Sequence, residues 1–539
     1  MNVSKKYMDK AVKMGKDSAT GSFQLFIGKI VSTLMLAIGT IIVGIFIDNI
    51  EYGLYAIAVI PATTFLLFQD WGVASALTKY CANYRAAKRE GELRNIIVSG
   101  LTFEAVTSIA LTLLSLITAN FVASTVFGSP ESAFLIAFAS ITILSTAIYS
   151  VSTSVFVGFE RMEFSTITMI ISAAVNGSLA PLLVYLGFGA FGALVGFTVA
   201  SVVSGVTGAA LLYFGIFRKL PLESMNKPKI LQTLKPLLNY GIPLSIATII
   251  TGGLNQVTQF VMASSTDLAM IGNFKIATNF AIFLTFFTLP MSTVLFPAFS
   301  KLDPSKDKQL LKTVYASSVK YSSLFLVPAV MALMVLSAPM ISTLYADKWV
   351  YAPFFLTLYV AGYVFVLLGQ LSWSSLLTAT GETKMLMKLS ALSLCIGVPL
   401  AFLLIPPLGI LGVIIVGYFS VVPNVILGTY WTWKRYETKP DLQNSARILL
   451  ASTIAGVTTY LFLNAFVAAA WITLAIGAVL FLVVYLISAP LVGAVNQMDT
   501  SNLRVMFSGL GVISKVIEIP LTLVEKLLRT NAKRPKDSQ

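Results

Sequence analysis

Histidine is absent from these 539 residues, and only two cysteines occur, Cys81 and Cys395. Without histidine the chain lacks the commonest general base and the commonest metal ligand. Two cysteines in separate segments allow one bridge at most, not a disulfide framework. Charge is scarce as well: 11% of residues are Asp, Glu, Lys or Arg, against about 25% in a soluble domain. No G-x-x-x-x-G-K-[ST] phosphate loop is present, so the chain does not read as an ATPase by itself. No metal site and no cofactor are expected. The net charge of +14 does not point to nucleic acid, because it is spread through short connections rather than gathered in a patch.

What the chain has instead is long apolar runs, 57% of residues being hydrophobic. A hydrocarbon core of about 30 Å takes roughly 20 helical residues. Residues 448–497 carry no charge and would extend about 75 Å as one helix, so they must reverse near Asn464. The same argument divides 164–217 at Leu186-Gly187-Phe188-Gly189 and 389–433 at Pro406-Pro407-Leu408-Gly409. The runs are apolar on all faces, unlike the alternating strands of a membrane barrel. The expected fold is therefore an all-α integral membrane protein with about fourteen spans. They lie near 23–47, 53–77, 96–123, 132–157, 164–186, 190–217, 236–263, 271–299, 321–345, 351–379, 387–406, 409–433, 448–467 and 470–495. The run at 23–47 is too long for a signal-peptide core and lacks a small-residue cleavage site, so it reads as the first span.

Basic residues are distributed unevenly over the connections. The N-terminal arm, the alternate loops from 78–95 onward and the C-terminal tail hold 34 of the 37 lysines and arginines; the others are Lys29, Lys275 and Lys348. On the opposite side Lys348 meets Asp48, Glu51, Glu131, Asp267 and Asp347. Positive charge near span ends stays cytoplasmic, which places both termini in the cytoplasm of a multi-pass cell-membrane protein. The outer loops are too short to house a catalytic domain, so an enzyme is not expected.

The segment Asp48-Asn-Ile-Glu-Tyr-Gly-Leu-Tyr-Ala-Ile-Ala58 recurs 219 residues later as Asp267-Leu-Ala-Met-Ile-Gly-Asn-Phe-Lys-Ile-Ala277. Gly189 and Gly192 recur as Gly409 and Gly412, and Glu160 pairs more weakly with Glu382. Six spans per repeat keep both copies the same way up, a parallel repeat about an axis along the membrane normal. The organisation expected is an arm over 1–22, an N-lobe over 23–217, a cytoplasmic linker over 218–235 and a C-lobe over 236–433. A cytoplasmic loop over 434–447, an added helix pair over 448–495 and an amphipathic cytoplasmic tail over 496–539 complete the chain. Two facing lobes would leave a central cavity, where transporters of this design hold their substrate.

Four ionisable residues fall inside spans: Lys29, Asp70, Glu104 and Lys275. A charge at mid-bilayer costs about 2.5–3.5 kcal/mol even on the lenient insertion scale, so such residues face a bundle interior or a wet cavity. Lys29, Asp70 and Glu104 lie at similar depth. Either they form a static ion cluster that fixes packing, or Lys29 and Lys275 attract an anionic headgroup while Asp70 or Glu104 takes a coupling proton or Na+. Asp70-Trp71-Gly72 also reads as an interfacial turn. Asn255, Gln256, Gln259 and Gln370 could hydrogen-bond sugar hydroxyls or merely join helices. Trp373 could stack on a sugar ring.

Residues 51–97, with Tyr52-Gly53, Asp70-Trp71-Gly72 and the basic stretch Lys79 to Arg94, resemble the second span and following loop of polysaccharide-transporter flippases. Two six-helix lobes with a terminal pair are similar to the multidrug/oligosaccharidyl-lipid/polysaccharide (MOP) exporter superfamily. The resemblance covers 20–435. It implies flipping of a lipid-linked oligosaccharide, a polyprenyl-phosphate glycan, from the cytoplasmic to the outer leaflet by alternating access. It also implies that in-span cations, here Lys29 and Lys275, meet the phosphate. Some flippases of lipid-linked cell-wall precursors carry richer arginine sets in the cavity, and the lack of in-span arginine argues against that branch. The alternatives are a cation-coupled multidrug exporter of the same fold and, more remotely, a membrane glycosyltransferase or glycan polymerase. The partners expected are the lipid-linked glycan, membrane lipids and the coupling ion, with no nucleic acid.

Overall fold

Residues 2–220, 230–466, 468–507, 518 and 520–528 are described by the computed structural model, and every regular element among them is helical. The first is longer than a span: α1 runs from Asn2 to Phe46, so the expected arm and first span share one helix. α2 (Asn49–Leu67), α3 (Val73–Ala86) and α4 (Glu90–Phe121) follow. α2 stops at Leu67 rather than near 77, because the chain turns at Asp70-Trp71-Gly72 before α3 begins. α5 (Ser132–Ala139), α6 (Ile141–Gly158), α7 (Met162–Leu183) and α8 (Gly189–Gly215) complete the first half.

The second half begins with α9 (Ile230–Ser265), α10 (Leu268–Phe280), α11 (Ile282–Ser300) and α12 (Lys308–Tyr345). α13 (Ala352–Ala361), α14 (Gln370–Ala379), α15 (Thr383–Leu408) and α16 (Ile410–Tyr436) come next. α17 (Leu442–Ala465) and α18 (Ala470–Leu491) form the added pair, and α19 (Gln497–Phe507) opens the tail. Further along, the tail is helical over 520–528; residues 508–517, 519 and 529–539 of that expected surface segment lie outside the described residues.

Twelve helices among the described residues are long and apolar enough to cross a bilayer. The number rises to thirteen when the pair Ala352–Leu368 and Gln370–Ala379, bent by 57°, counts as a span. Length and composition therefore do not reach the expected fourteen. One of the twelve is the 58-residue run Met162–Lys219, about 87 Å if straight. It does not run straight. Gly187 and Gly189 adopt φ of 88° and 49°, a region that glycine enters without steric penalty. Beyond them α8 returns along α7, with Gly196 set against Ala180. The reversal expected from run length thus occurs at the expected glycines.

The chain forms two compact units. The first is Met1–Lys275 with Val398–Val413, and the second is Ile276–Gly397 with Ile414–Gln539. The division falls within α10 rather than in the 218–235 linker, because α9 packs on α2, α3 and α4 of the first unit. The first unit has an apolar core of Val73, Leu77, Cys81, Leu93, Ile97 and Phe156. In the second, Phe299, Leu311, Tyr315, Leu376, Leu377 and Leu389 pack together. Outside these cores the apolar helices stay open: Ile117 is 77% exposed, the surface of a protein solvated by lipid.

The internal repeat is visible in backbone detail. Asp48 O accepts from Tyr52 N at 2.8 Å, and Asp267 O accepts from Ile271 N at 3.0 Å. A side chain at Gly53 would strike the Leu268 carbonyl, and one at Gly272 would strike the Asn49 carbonyl. Gly53 and Gly272 stand 219 residues apart, as do Asn49 and Leu268. The contact is therefore reciprocal, the signature of a two-fold relation between α2 and α10.

At the other end of the chain, α19 is tied to α12 by one buried ion pair. Lys320 Nζ lies 2.6 Å from Asp499 Oδ2, with side chains 13% and 5% exposed. Asp499 also accepts from Asn496 N at 2.8 Å.

Two outcomes are expected. Gly53→Val and Gly272→Val each force apart the reciprocal crossing and lower stability by about 1–3 kcal/mol, the usual cost of overpacking. The measurement is a thermal midpoint followed through the reactivity of the buried Cys81 thiol; Gly417→Ala, which meets nothing within 4 Å, leaves it unchanged. Lys320→Met strands Asp499 as a buried charge, at about 3–5 kcal/mol, and frees α19. Trypsin then cuts at Arg504 sooner, and the double variant Lys320→Met/Asp499→Leu restores much of the protection.

Candidate functional site

Two buried polar side chains of the first unit meet just beyond the end of α2. Gln69 is 3% exposed and Glu104, midway along α4, is 1% exposed. Gln69 Nε2 donates to Glu104 Oε2 at 2.5 Å. The Asp70 carboxyl lies within hydrogen-bonding reach of Glu104, while Asp70 Oδ1 accepts from Ala74 N at 2.7 Å and so caps the first turn of α3. Glu104 Oε1 is buried and receives no N–H or O–H from the protein. Two carboxyls thus face each other in apolar surroundings with one acceptor unserved. A proton or a small cation between them is the chemistry that completes the arrangement.

The sequence reading grouped Lys29 with these acids. The structure brings Asp70 and Glu104 together and leaves Lys29 out: its side chain is exposed on α1. None of the salt bridges among the described residues includes Lys29, Asp70 or Glu104. The static ion cluster is replaced by an acid pair without a cation. Lys275 is exposed on α10 between the buried Phe274 and Ile276.

Asn255 and Gln259, one helical turn apart, share a face of α9. Asn255 is exposed, and Gln256 and Gln259 are half-buried. Gln256 Oε1 accepts from Thr64 Oγ1 of α2 at 3.0 Å, so this glutamine joins two helices. Gln370 and Trp373 belong to the second unit. Gln370 is half-buried at the start of α14. Trp373 corrects the sugar-stacking expectation: it is 7% exposed, packs in the core with Phe299 and Tyr315, and its ring covers Gly428. No ring face is left for a glycan.

Sequence reasoning missed Gln69, Thr64 and the polar cavity beside α1. That cavity is lined by Thr40, Tyr52, Tyr55, Asn176 and the paired Gly39 and Gly177. Gln69 stands next to Asp70 at the end of an apolar run, and that adjacency was the available signal. The cavity left none, since neutral polar residues and glycines are ordinary in membrane helices.

Comparison with known proteins adds the family. A solved lipid II flippase MurJ in an inward closed conformation has the same fold, with TM-score 0.70, 16% identity and coverage of 87% of this chain and 98% of that one. An inward-facing multidrug resistance MATE transporter of the MOP superfamily follows with TM-score 0.62, 18% identity and coverage of 76% and 98%. Stage V sporulation protein B of Bacillus subtilis (strain 168) is 25% identical over 374 residues, 64% of this chain and 70% of that protein. The model of the lipid II flippase MurJ family matches residues 224–486, so likeness reaches the cell-wall precursor branch despite the missing in-span arginines. The model described as polysaccharide biosynthesis protein matches residues 42–352, more than half of the chain, and the protein therefore belongs to that family of multi-pass membrane proteins.

Proposed function

We propose that the chain is a flippase that moves a lipid-linked oligosaccharide, a polyprenyl-phosphate glycan, from the cytoplasmic to the outer leaflet by alternating access. One observation carries the reading. A member of the polysaccharide biosynthesis protein family shares its fold with a lipid II flippase over 98% of that protein. The multidrug exporter is the second reading, and the MATE likeness favours it, though over 76% rather than 87% of this chain.

Twelve long helices, the bent pair, and separate counting of α7 and α8 together give the fourteen spans of this reading. The lysine-rich connections, both termini and α19 are then cytoplasmic, in the cell membrane. Lys29 and Lys275 would meet the phosphate. Asn255 and Gln259 would offer hydrogen bonds to sugar hydroxyls, with Gln256 and Gln370 in support. The Asp70–Glu104 pair would take the coupling ion. An inside-negative potential favours outward movement of a phosphate by about 2.3 kcal/mol per charge per 100 mV, so no nucleotide is demanded.

The test is reconstitution in vesicles with a fluorescent polyprenyl-phosphate glycan, scored by its accessibility in the outer leaflet. Lys29→Ala and Lys275→Ala are each expected to slow transfer roughly tenfold, the weight of one charge-assisted hydrogen bond of about 1.5 kcal/mol. Full rates in both variants would remove the lysines from the site. Drug efflux without glycan movement would replace the flippase reading by the exporter.

A further inference from the structure

We infer that the Asp70–Glu104 pair is a proton-operated latch on the contact between the Trp71-Gly72 turn and Gly241 of α9. The inference rests on the alternating-access reading and names the element that the coupling site would move.

Three features meet within three consecutive residues. Asp70 is held by Glu104 on one side and caps α3 through Ala74 on the other. Trp71 follows with φ of 48° and Gly72 with φ of 75°. Positive φ is costly for tryptophan and persists only where the surroundings enforce it. The surroundings here are α9. A side chain at Gly72 would strike the Gly241 backbone, and one at Gly241 would meet the Trp71 carbonyl at 2.5 Å. The turn therefore lies backbone to backbone on α9, closer than any other residue type would permit.

That seat is one point of a longer contact between the first repeat and α9 of the second. Toward α2, Leu67 fills the space at Gly252 and Thr64 bonds Gln256. Toward α3, Lys79 Nζ sits 3.9 Å from the centre of the Tyr240 ring. Tyr80 meets the same ring edge-on at 6.3 Å. The remote end is closed by the reciprocal Gly53 and Gly272 crossing. Alternating access requires the two ends to part at different times, and the basic end is the one that carries a titratable device.

The device needs a proton to be complete. Glu104 is 1% exposed, and its Oε1 is served by no donor. One proton shared between Glu104 and Asp70 supplies that oxygen and joins the acids. Loss of the proton leaves two like charges in a medium of low dielectric, which repel. Glu104 is fixed in a long helix, so Asp70 gives way, and the turn that it leads leaves Gly241. Other titratable groups on the helices packed around the pair are Lys79, Tyr80, Cys81, Tyr84 and Arg85 of α3, Tyr149 of α6, and Lys235 and Tyr240 of α9. Lys79 is turned onto aromatic rings, and none of these groups is a partner of Glu104.

The experiment places spin labels at Asn83→Cys on α3 and Leu231→Cys on α9. The background is the full chain with Cys395→Ser in lipid nanodiscs; Cys81 is buried and stays unlabelled. In mildly acidic buffer one short distance is expected, and in mildly alkaline buffer a second, longer population. Glu104→Gln, whose amide replaces the shared proton, keeps the short distance throughout, and Asp70→Asn does the same. A distance indifferent to pH in the unsubstituted pair while glycan transfer proceeds would overturn the latch and leave the flippase reading intact. Persistence of the pH response in both variants would also overturn it. A response to sodium at constant pH would overturn the assignment to a proton. Absence of glycan transfer from unsubstituted protein bears on the function alone.

Discussion

Within a bilayer an apolar side chain gains little by exchanging lipid for protein, so helices adhere where their backbones can approach and where polar groups find partners. That constraint governs this molecule. Gly39 lies against the backbone of Gly177 where α1 crosses α7, and Gly53 and Gly272 lie against Leu268 and Asn49 where α2 meets α10. These are contacts of shape. They disperse little energy when parted in lipid, because tails can fill what a helix leaves. A helix pair held by glycine crossings can therefore separate and rejoin, which a water-soluble core of the same size would resist by its hydrophobic drive.

Polar side chains obey the opposite logic. In hydrocarbon they hold hard and part only when their charge changes. Most serine and threonine hydroxyls here return their proton to the preceding helical turn, as Thr63 does to Ile60 and Thr102 to Val98, and bind nothing beyond their own helix. The exceptions mark where elements are tied. Lys320 with Asp499 fixes the tail helix to α12. Glu382 gathers Trp431, Tyr436 and Arg435 at the end of α16. Both are satisfied clusters of opposite charge or full donor sets. The Asp70–Glu104 pair is unlike them, since it joins two acids and leaves one oxygen without a donor.

The span pattern and the repeat were legible because they rest on one-dimensional quantities. Run length against bilayer thickness forces reversals, and Gly187 and Gly189 were the residues able to make one. The register of Asp48 with Asp267 survives in the paired backbone bonds of Tyr52 and Ile271. Breaks inside apolar runs were harder to read. The span expected over 351–379 bends by 57° between Leu368 and Gln370, and α10 gives way to α11 at Ala281, without a charge to mark either place. The site was half legible. Depth along a helix follows from counting residues, and it grouped Asp70 with Glu104. Rotation about the helix axis does not follow, so Lys29 was grouped with them although it faces away. The same blindness put Trp373 on a binding surface when it fills a core.

Rotation also decides what the two lysines can do. Lys29 and Lys275 keep exposed side chains on helices whose neighbouring residues are committed to packing: Gly28 meets Thr166, and Phe274 and Ile276 are buried. An ammonium directed at lipid costs several kcal/mol, while one directed at a lipid phosphate recovers that cost through a charge-assisted bond. The lysines are therefore tolerated most easily in a protein whose cargo is itself an anionic lipid. A carrier of hydrophobic cations would meet the same ammonium groups as a repulsion. Two exposed lysines on apolar helices, with Asp70 and Glu104 paired elsewhere, are an arrangement that suits a phosphate-bearing cargo.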